Sequence, residues 1–200
     1  MRAAAVLVAA CLTASPSFAA KEPPPIEVYQ GLVQVINAPA GGGMARFTVR
    51  ILRWSTDEEK IPLRDALAKG GSEALADAME KVEPAAYLQI DSNLRHAIRV
   101  ASTWETEKGR MVRLATDRPI LIGEAMRNTR SMDYPIGILE FLVPAEGPGE
   151  GILLAACEAG FDAQGRLEVK SLPQSTGPQR LTMVEKQKQK QKKQKKQESE

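Results

Sequence analysis

Arginine is the side chain with the clearest chemical bias in this sequence. Between Arg46 and Arg130 stand eleven Arg and four Lys. A guanidinium is planar and makes paired hydrogen bonds to carboxylate or phosphate, which an ammonium cannot do. The densest local set is Arg118, Arg127 and Arg130 with Asn128. It lies in a non-repetitive stretch between two strand-like runs, and binding residues concentrate on such loops when a rigid sheet carries them. The set predicts a site for an anionic ligand. Asp117, Glu124 and Asp133 share the stretch and could instead absorb the guanidiniums as ion pairs, as surface charges commonly do. Both readings stand on the sequence.

Other reactive residues are few. His96 is the single histidine, close to Asp91, Ser92 and Asn93. A catalytic triad is defined by geometry, and near neighbours on one strand seldom meet in that way. His96 shares strand parity with Ile98 and Val100, which predicts an imidazole at the edge of the core. Two cysteines and one histidine exclude a disulfide framework, a Cys/His zinc site and a multi-histidine metal centre. Nothing in the chain implies a cofactor. The cluster Asp57-Glu58-Glu59 lacks the alternating carboxylates and central glycine of a calcium loop. Gly41-Gly42-Gly43 is not followed by Gly-Lys-Ser/Thr and leads into a strand, so it is no phosphate loop.

The elements that must position these residues begin after an export signal. Met1-Arg2, the apolar run Ala3–Thr13 and the small-x-small site Ser17-Phe18-Ala19 make a signal peptide over residues 1–19. The run is too short for the ~20 apolar residues of a membrane span. A second reading takes Val8-Ala9-Ala10-Cys11 as a lipobox with Cys11 lipidated. The expected location is periplasmic or extracellular, lipid-anchored only on that second reading. Residues 20–25 form a Pro-rich leader, and Cys157 remains as a small apolar strand residue.

Period-two alternation then marks strands at Gly31–Ile36, Arg46–Trp54, Ala86–Ile90, Arg95–Trp104, Arg110–Thr116, Tyr134–Val143, Gly151–Phe161, Arg166–Leu172 and Gln179–Val184. On the second run Phe47, Val49 and Ile51 share one face, and Thr48, Arg50 and Leu52 the other. Pro119–Met126 reads equally as strand or helical turn. Between the second and third strands the period changes. Ser55–Glu59 supplies a cap and first-turn acids. Pro62 suits the first position of a helix that runs to Lys69, Gly70-Gly71 stop it, and Ser72 caps another. The result is an α+β fold: an antiparallel β sandwich or barrel of about eight or nine strands with one inserted αα-hairpin, in a single domain over residues 26–184.

Net charge is +2, distributed unevenly. Residues 185–200 hold seven Lys against three Glu, while residues 20–184 hold 19 basic and 22 acidic side chains, so the body is not a nucleic-acid-binding domain by composition. Lys186–Gln197 contains only Lys and Gln and has nothing to bury, which predicts a disordered tail. Such a tail offers weak electrostatic contact with anionic lipid or another polyanion.

The run Ala115-Thr116-Asp117-Arg118-Pro119-Ile120, followed by Arg127–Ser131, Asp133-Tyr134-Pro135 and Ile138 with Glu140, resembles an uncharacterised family of secreted bacterial proteins, notably acidobacterial. Gly31–Val33, Phe47-Thr48-Val49, Ser55–Glu58, Ala68–Gly71 and Arg180-Leu181-Thr182 fit the same pattern. The resemblance spans about Gly31 to Val184 and implies export and one domain, with no established activity. The function expected is a non-enzymatic module of the cell envelope that binds an anionic ligand or partner. Two alternatives are a scaffolding protein working through its basic tail and a hydrolase-like enzyme, the latter requiring carboxylates and His96 to converge in one pocket.

Overall fold

Alternating apolar residues build eight strands around a closed lumen and a ninth beside them, and one broken helix lies against the outside. The computed structural model describes residues 23–35, 43–91, 95–120, 134–173 and 177–187. Its elements in chain order are β1 (Glu27–Val35), β2 (Gly43–Ile51), α1 (Asp57–Glu80), β3 (Ala86–Ile90), β4 (His96–Thr106), β5 (Gly109–Thr116), β6 (Ile136–Val143), β7 (Gly149–Phe161), β8 (Leu167–Ser171) and β9 (Gln179–Lys186). Each strand from β1 to β7 pairs antiparallel with the next. β9 inserts between β7 and β1 and closes an eight-stranded barrel, with β8 added to the far half of β7 only. Closure removes the exposed edges that an open sheet would present. The sequence left sandwich and barrel open, and the pairing of β9 with both β7 and β1 decides for the barrel.

Side-chain parity follows the pleat. Phe47, Val49 and Ile51 of β2 point inward with Tyr29, Val33, Leu88, Leu114, Leu139, Phe141, Leu153 and Leu181, all buried. Tyr29 and Phe47 both pack on Phe141, at ring-centroid separations of 5.1 and 6.5 Å. Gly31 leaves the room this requires, since a Cβ there would lie 2.8 Å from the Phe47 ring. A second core forms outside the barrel, where Leu63, Leu75 and Met79 of α1 cover Val100, Ile136 and Leu154.

The helix departs from its expected limits. It starts at Asp57, five residues before Pro62, because Thr56 and Glu59 form a reciprocal capping box. Pro62 sits within the early turns, where it forgoes only one backbone bond. The two expected helices are the two halves of α1, divided where Gly70 and Gly71 leave helical geometry and Gly71 takes φ +67°. β9 also runs to Lys186, two residues past the expected end of the domain, and the Gln187 N–H donates to the Val28 carbonyl at 2.8 Å.

Strand direction sorts the connections. β1 begins and β9 ends at one rim, where α1 also departs. β1, β3 and β5 end, and β2, β4, β6 and β9 begin, at the opposite rim.

Candidate functional site

Among the described residues, buried side chains pack the interior of the barrel. At the rim where β5 finishes, Ile120 turns back into the barrel core and its N–H donates to the Ala155 carbonyl at 2.7 Å. Thr116, fully buried, accepts the Gly137 N–H at 3.0 Å. At the opposite rim a polar cluster closes the barrel. The Tyr29 hydroxyl donates to Glu27, Arg110 Nη1 donates to both Glu27 oxygens at 2.9 and 3.1 Å, and Lys186 Nζ reaches Glu27 at 3.0 Å. Arg110 also lies over the Trp54 ring at 5.0 Å and donates from Nε to Thr103 Oγ1 at 2.8 Å. Burial alone would raise the Glu27 pKa; hydrogen bonds from Tyr29, Arg110 and Lys186 outweigh it and hold the carboxyl below its usual range. Burial and the neighbouring Glu27 push the Tyr29 phenol upward. With a fixed negative charge and a phenol that keeps its proton, the cluster is a plug.

The arginine loop is described only at its start. Arg118 is half-exposed and its Nε lies 3.4 Å from Asp117 Oδ1. The same Asp117, wholly buried, takes Arg99 at 3.3 Å through its other oxygen, and Arg99 Nη1 donates to the Val82 carbonyl at 2.8 Å. This buried carboxylate thus ties the end of β5 to β4 and to the chain after α1. Arg118 follows the ion-pair reading, although its half-exposed guanidinium keeps donors facing water. Arg127, Asn128 and Arg130, with Glu124 and Asp133, lie outside the described residues, as do Cys11 and the signal segment.

His96 stands at the same rim, first on β4 and opposite Leu88, which places it on the inward row. Burial lowers its pKa, and the Arg118 charge lowers it further. The carboxylate nearest it in sequence, Asp91, accepts the Arg46 N–H at 2.8 Å across on β2. Cys157 is buried under α1 with its thiol pushed up to about 12 by burial, so it is no nucleophile at neutral pH. Among the described residues no group of three His, Cys, Asp or Glu is placed to hold a metal, and no helix is long and apolar enough to cross a membrane.

One surface escaped the reading of the loops. On the outside of β1 and β2, a shallow groove of about 450 Å³ is lined by Leu32, Met44, Arg46, Thr48 and Asp91. Its signal was present in the alternation of β2, which sets Arg46, Thr48 and Arg50 on the face opposite the core residues. What the sequence does not show is that, among the described residues, α1 covers the other side of the barrel and not this face. No family model, curated protein or solved structure matches the chain.

Proposed function

We propose that this is an exported, non-enzymatic module of the cell envelope that binds its partner on the outer surface of the barrel. The observation that carries the reading is the filled lumen. Barrels that enclose a small ligand leave their interior open, whereas here Tyr29, Phe47, Phe141 and Ile120 pack within it and the Glu27–Arg110 cluster closes the rim where β1 begins. Binding energy must then come from the exterior, where donors face water. The resemblance to secreted bacterial proteins and the signal-like residues 1–19 support export.

A second reading has one specific observation in its favour. Lys186 is held by Glu27, and the backbone of Gln187 is held by Val28, so the basic tail departs beside the point where the chain enters β1. A tail fixed there could tether the barrel to an anionic surface, as a scaffolding role requires.

Fractionation of the native host tests both. The intact mass of the recovered protein should begin at Ala20, and the protein should sediment with envelope material at low salt. Protein that retains residues 1–19 in the cytoplasm overturns export, and a diacylglyceryl group on Cys11 replaces free secretion by lipid anchoring. Absence from envelope material at every salt concentration overturns the binding reading. Loss of that sedimentation on removal of residues 188–200 alone decides for the tail.

A further inference from the structure

β8 lies outside the closed ring, and among the described residues its only strand partner is the far half of β7. The hairpin that joins the two fixes which backbone groups of β8 are left over. The Asp162 N–H donates to the Arg166 carbonyl at 2.9 Å, so these two residues form a hydrogen-bonded pair. Bonded and non-bonded pairs alternate along an antiparallel ladder. Glu168, opposite Gly160, therefore turns its backbone toward β7, and Leu167 and Val169 turn theirs away. The Leu167 carbonyl shows that direction, since it accepts Arg113 Nη1 from the barrel wall. The Val169 N–H and C=O face outward, with no strand across from them among the described residues. Its side chain is 37% exposed, unusual here for a large apolar residue.

The charges along this edge are self-complementary. Glu168 and Lys170 flank Val169 and share one face of the strand, where the ammonium already meets the carboxylate. A second copy running antiparallel about a two-fold axis at Val169 sets Glu168 against the second copy's Lys170 and Lys170 against the second copy's Glu168. The two pairs within the chains and the two between them close an alternating ring of four charges. Moving the axis by one residue in either direction sets Glu168 or Lys170 against itself. Unlike charges directly across an antiparallel pair attract, and like charges oppose the pairing. A lysine on an edge strand ordinarily keeps other strands away, but Glu168 two residues before it turns that repulsion into attraction for an inverted copy. The neighbouring charges of the hairpin are engaged within the chain, Arg166 with Asp162 at 2.7 Å and Glu158 with the Ser171 hydroxyl at 2.7 Å.

We infer that β8 is a self-association edge, on which two copies of this chain pair antiparallel about Val169. The outward N–H and C=O of each Val169 exchange two hydrogen bonds with the other copy, and the two β7–β8 ribbons become one four-stranded sheet. A two-fold contact requires a patch that complements itself, and the Glu168–Val169–Lys170 order supplies one. The edge is five residues long. It buries less than the ~1,600 Å² of a standard interface, so the dimer is weak and forms in concentrated protein. Two barrels joined in this way display each outer surface twice, which raises the avidity of a weak contact with a repetitive partner.

Sedimentation velocity of the full chain, from micromolar to millimolar concentration, tests the inference and should show a monomer–dimer equilibrium. E168K and K170E each leave like charges across the axis, and each should weaken dimerisation at least tenfold with a nearly unchanged melting temperature. The charge swap E168K/K170E keeps the net charge and restores both unlike pairs, so it should dimerise within twofold of the wild type. A chain that stays monomeric at every concentration overturns the proposal. A dimer that E168K and K170E both leave intact is held by another surface and overturns it equally. A dimer that the single changes break and the swap fails to recover overturns the register about Val169.

Discussion

Replacing Glu27 with Gln isolates the contribution of the rim cluster, because shape and an acceptor oxygen are kept while the charge is lost. Glu27 collects the Tyr29 hydroxyl, two bonds from Arg110 and the Lys186 ammonium, with its side chain 13% exposed. A hydrogen bond to a charged group contributes ~1.5–3 kcal/mol against ~0.5–1.5 for a neutral one, so each well-buried donor loses about 1 kcal/mol. Lys186 is half-exposed, and its share is discounted to nearly nothing. Leaving Arg110 partly buried without its anion adds to the cost, for a total of about 2–3 kcal/mol. In a domain of this size that lowers the melting temperature by about 5–10 °C. The pH dependence supplies an independent sign. The folded Glu27 pKa lies below its ordinary value of 4.5, so its stabilisation is complete above that value and disappears as pH falls through the folded one. Thermal melts of wild type and E27Q from pH 7 to pH 2.5 should start apart and converge below about pH 4.5. A gap under about 2 °C at pH 7, or parallel curves throughout, would refute the cluster as a source of stability.

Three further outcomes follow from the same geometry. G31A places a Cβ 2.8 Å from the Phe47 ring and 3.0 Å from the Thr182 carbonyl, and should cost about 1–3 kcal/mol in urea unfolding; a neutral result would mean the ring has room to move. Cys157 should resist a thiol reagent in the folded protein and react fully in guanidinium, since burial suppresses its thiolate; rapid native labelling would contradict the packing of α1 on β7. Truncation after Gln187 should leave the melting temperature unchanged, whereas truncation after Glu185 removes Lys186 and the Gln187–Val28 bond and should lower it by a few degrees. Equal melting of the two truncated chains would place the domain boundary before Lys186.

The strands were legible because one face of each is buried, which imposes a period of two that survives any uncertainty about pairing. All nine appear within a few residues of their expected limits. The barrel was not legible, because closure depends on β9 meeting β1 across nearly the whole chain, and alternation is the same in an open sandwich. The cap and first-turn acids expected at Ser55–Glu59 mark the start of α1, where Thr56 and Glu59 bond reciprocally, and only the placement of Pro62 at its first position failed. Ion-pair partners were hidden for a related reason. Arg110 meets Glu27 across 83 residues and Arg113 meets Glu140 across 27, so local charge counting could not tell which arginines are occupied.

That distinction is what directs attention from the loop to the sheet. Local density pointed to Arg118, yet density in sequence also brings carboxylates close, and Asp117 beside it is engaged by two guanidiniums. Residues on a strand are spared this because their sequence neighbours point to the other side and enter the core. Arg46 and Arg50 are flanked by Ala45, Phe47, Val49 and Ile51, all buried, so only cross-strand partners can neutralise them. Those partners are Leu32 and Asp91 for Arg46 and Val28 and Tyr87 for Arg50, and of these only Asp91 carries charge. A lone exposed guanidinium costs the fold little.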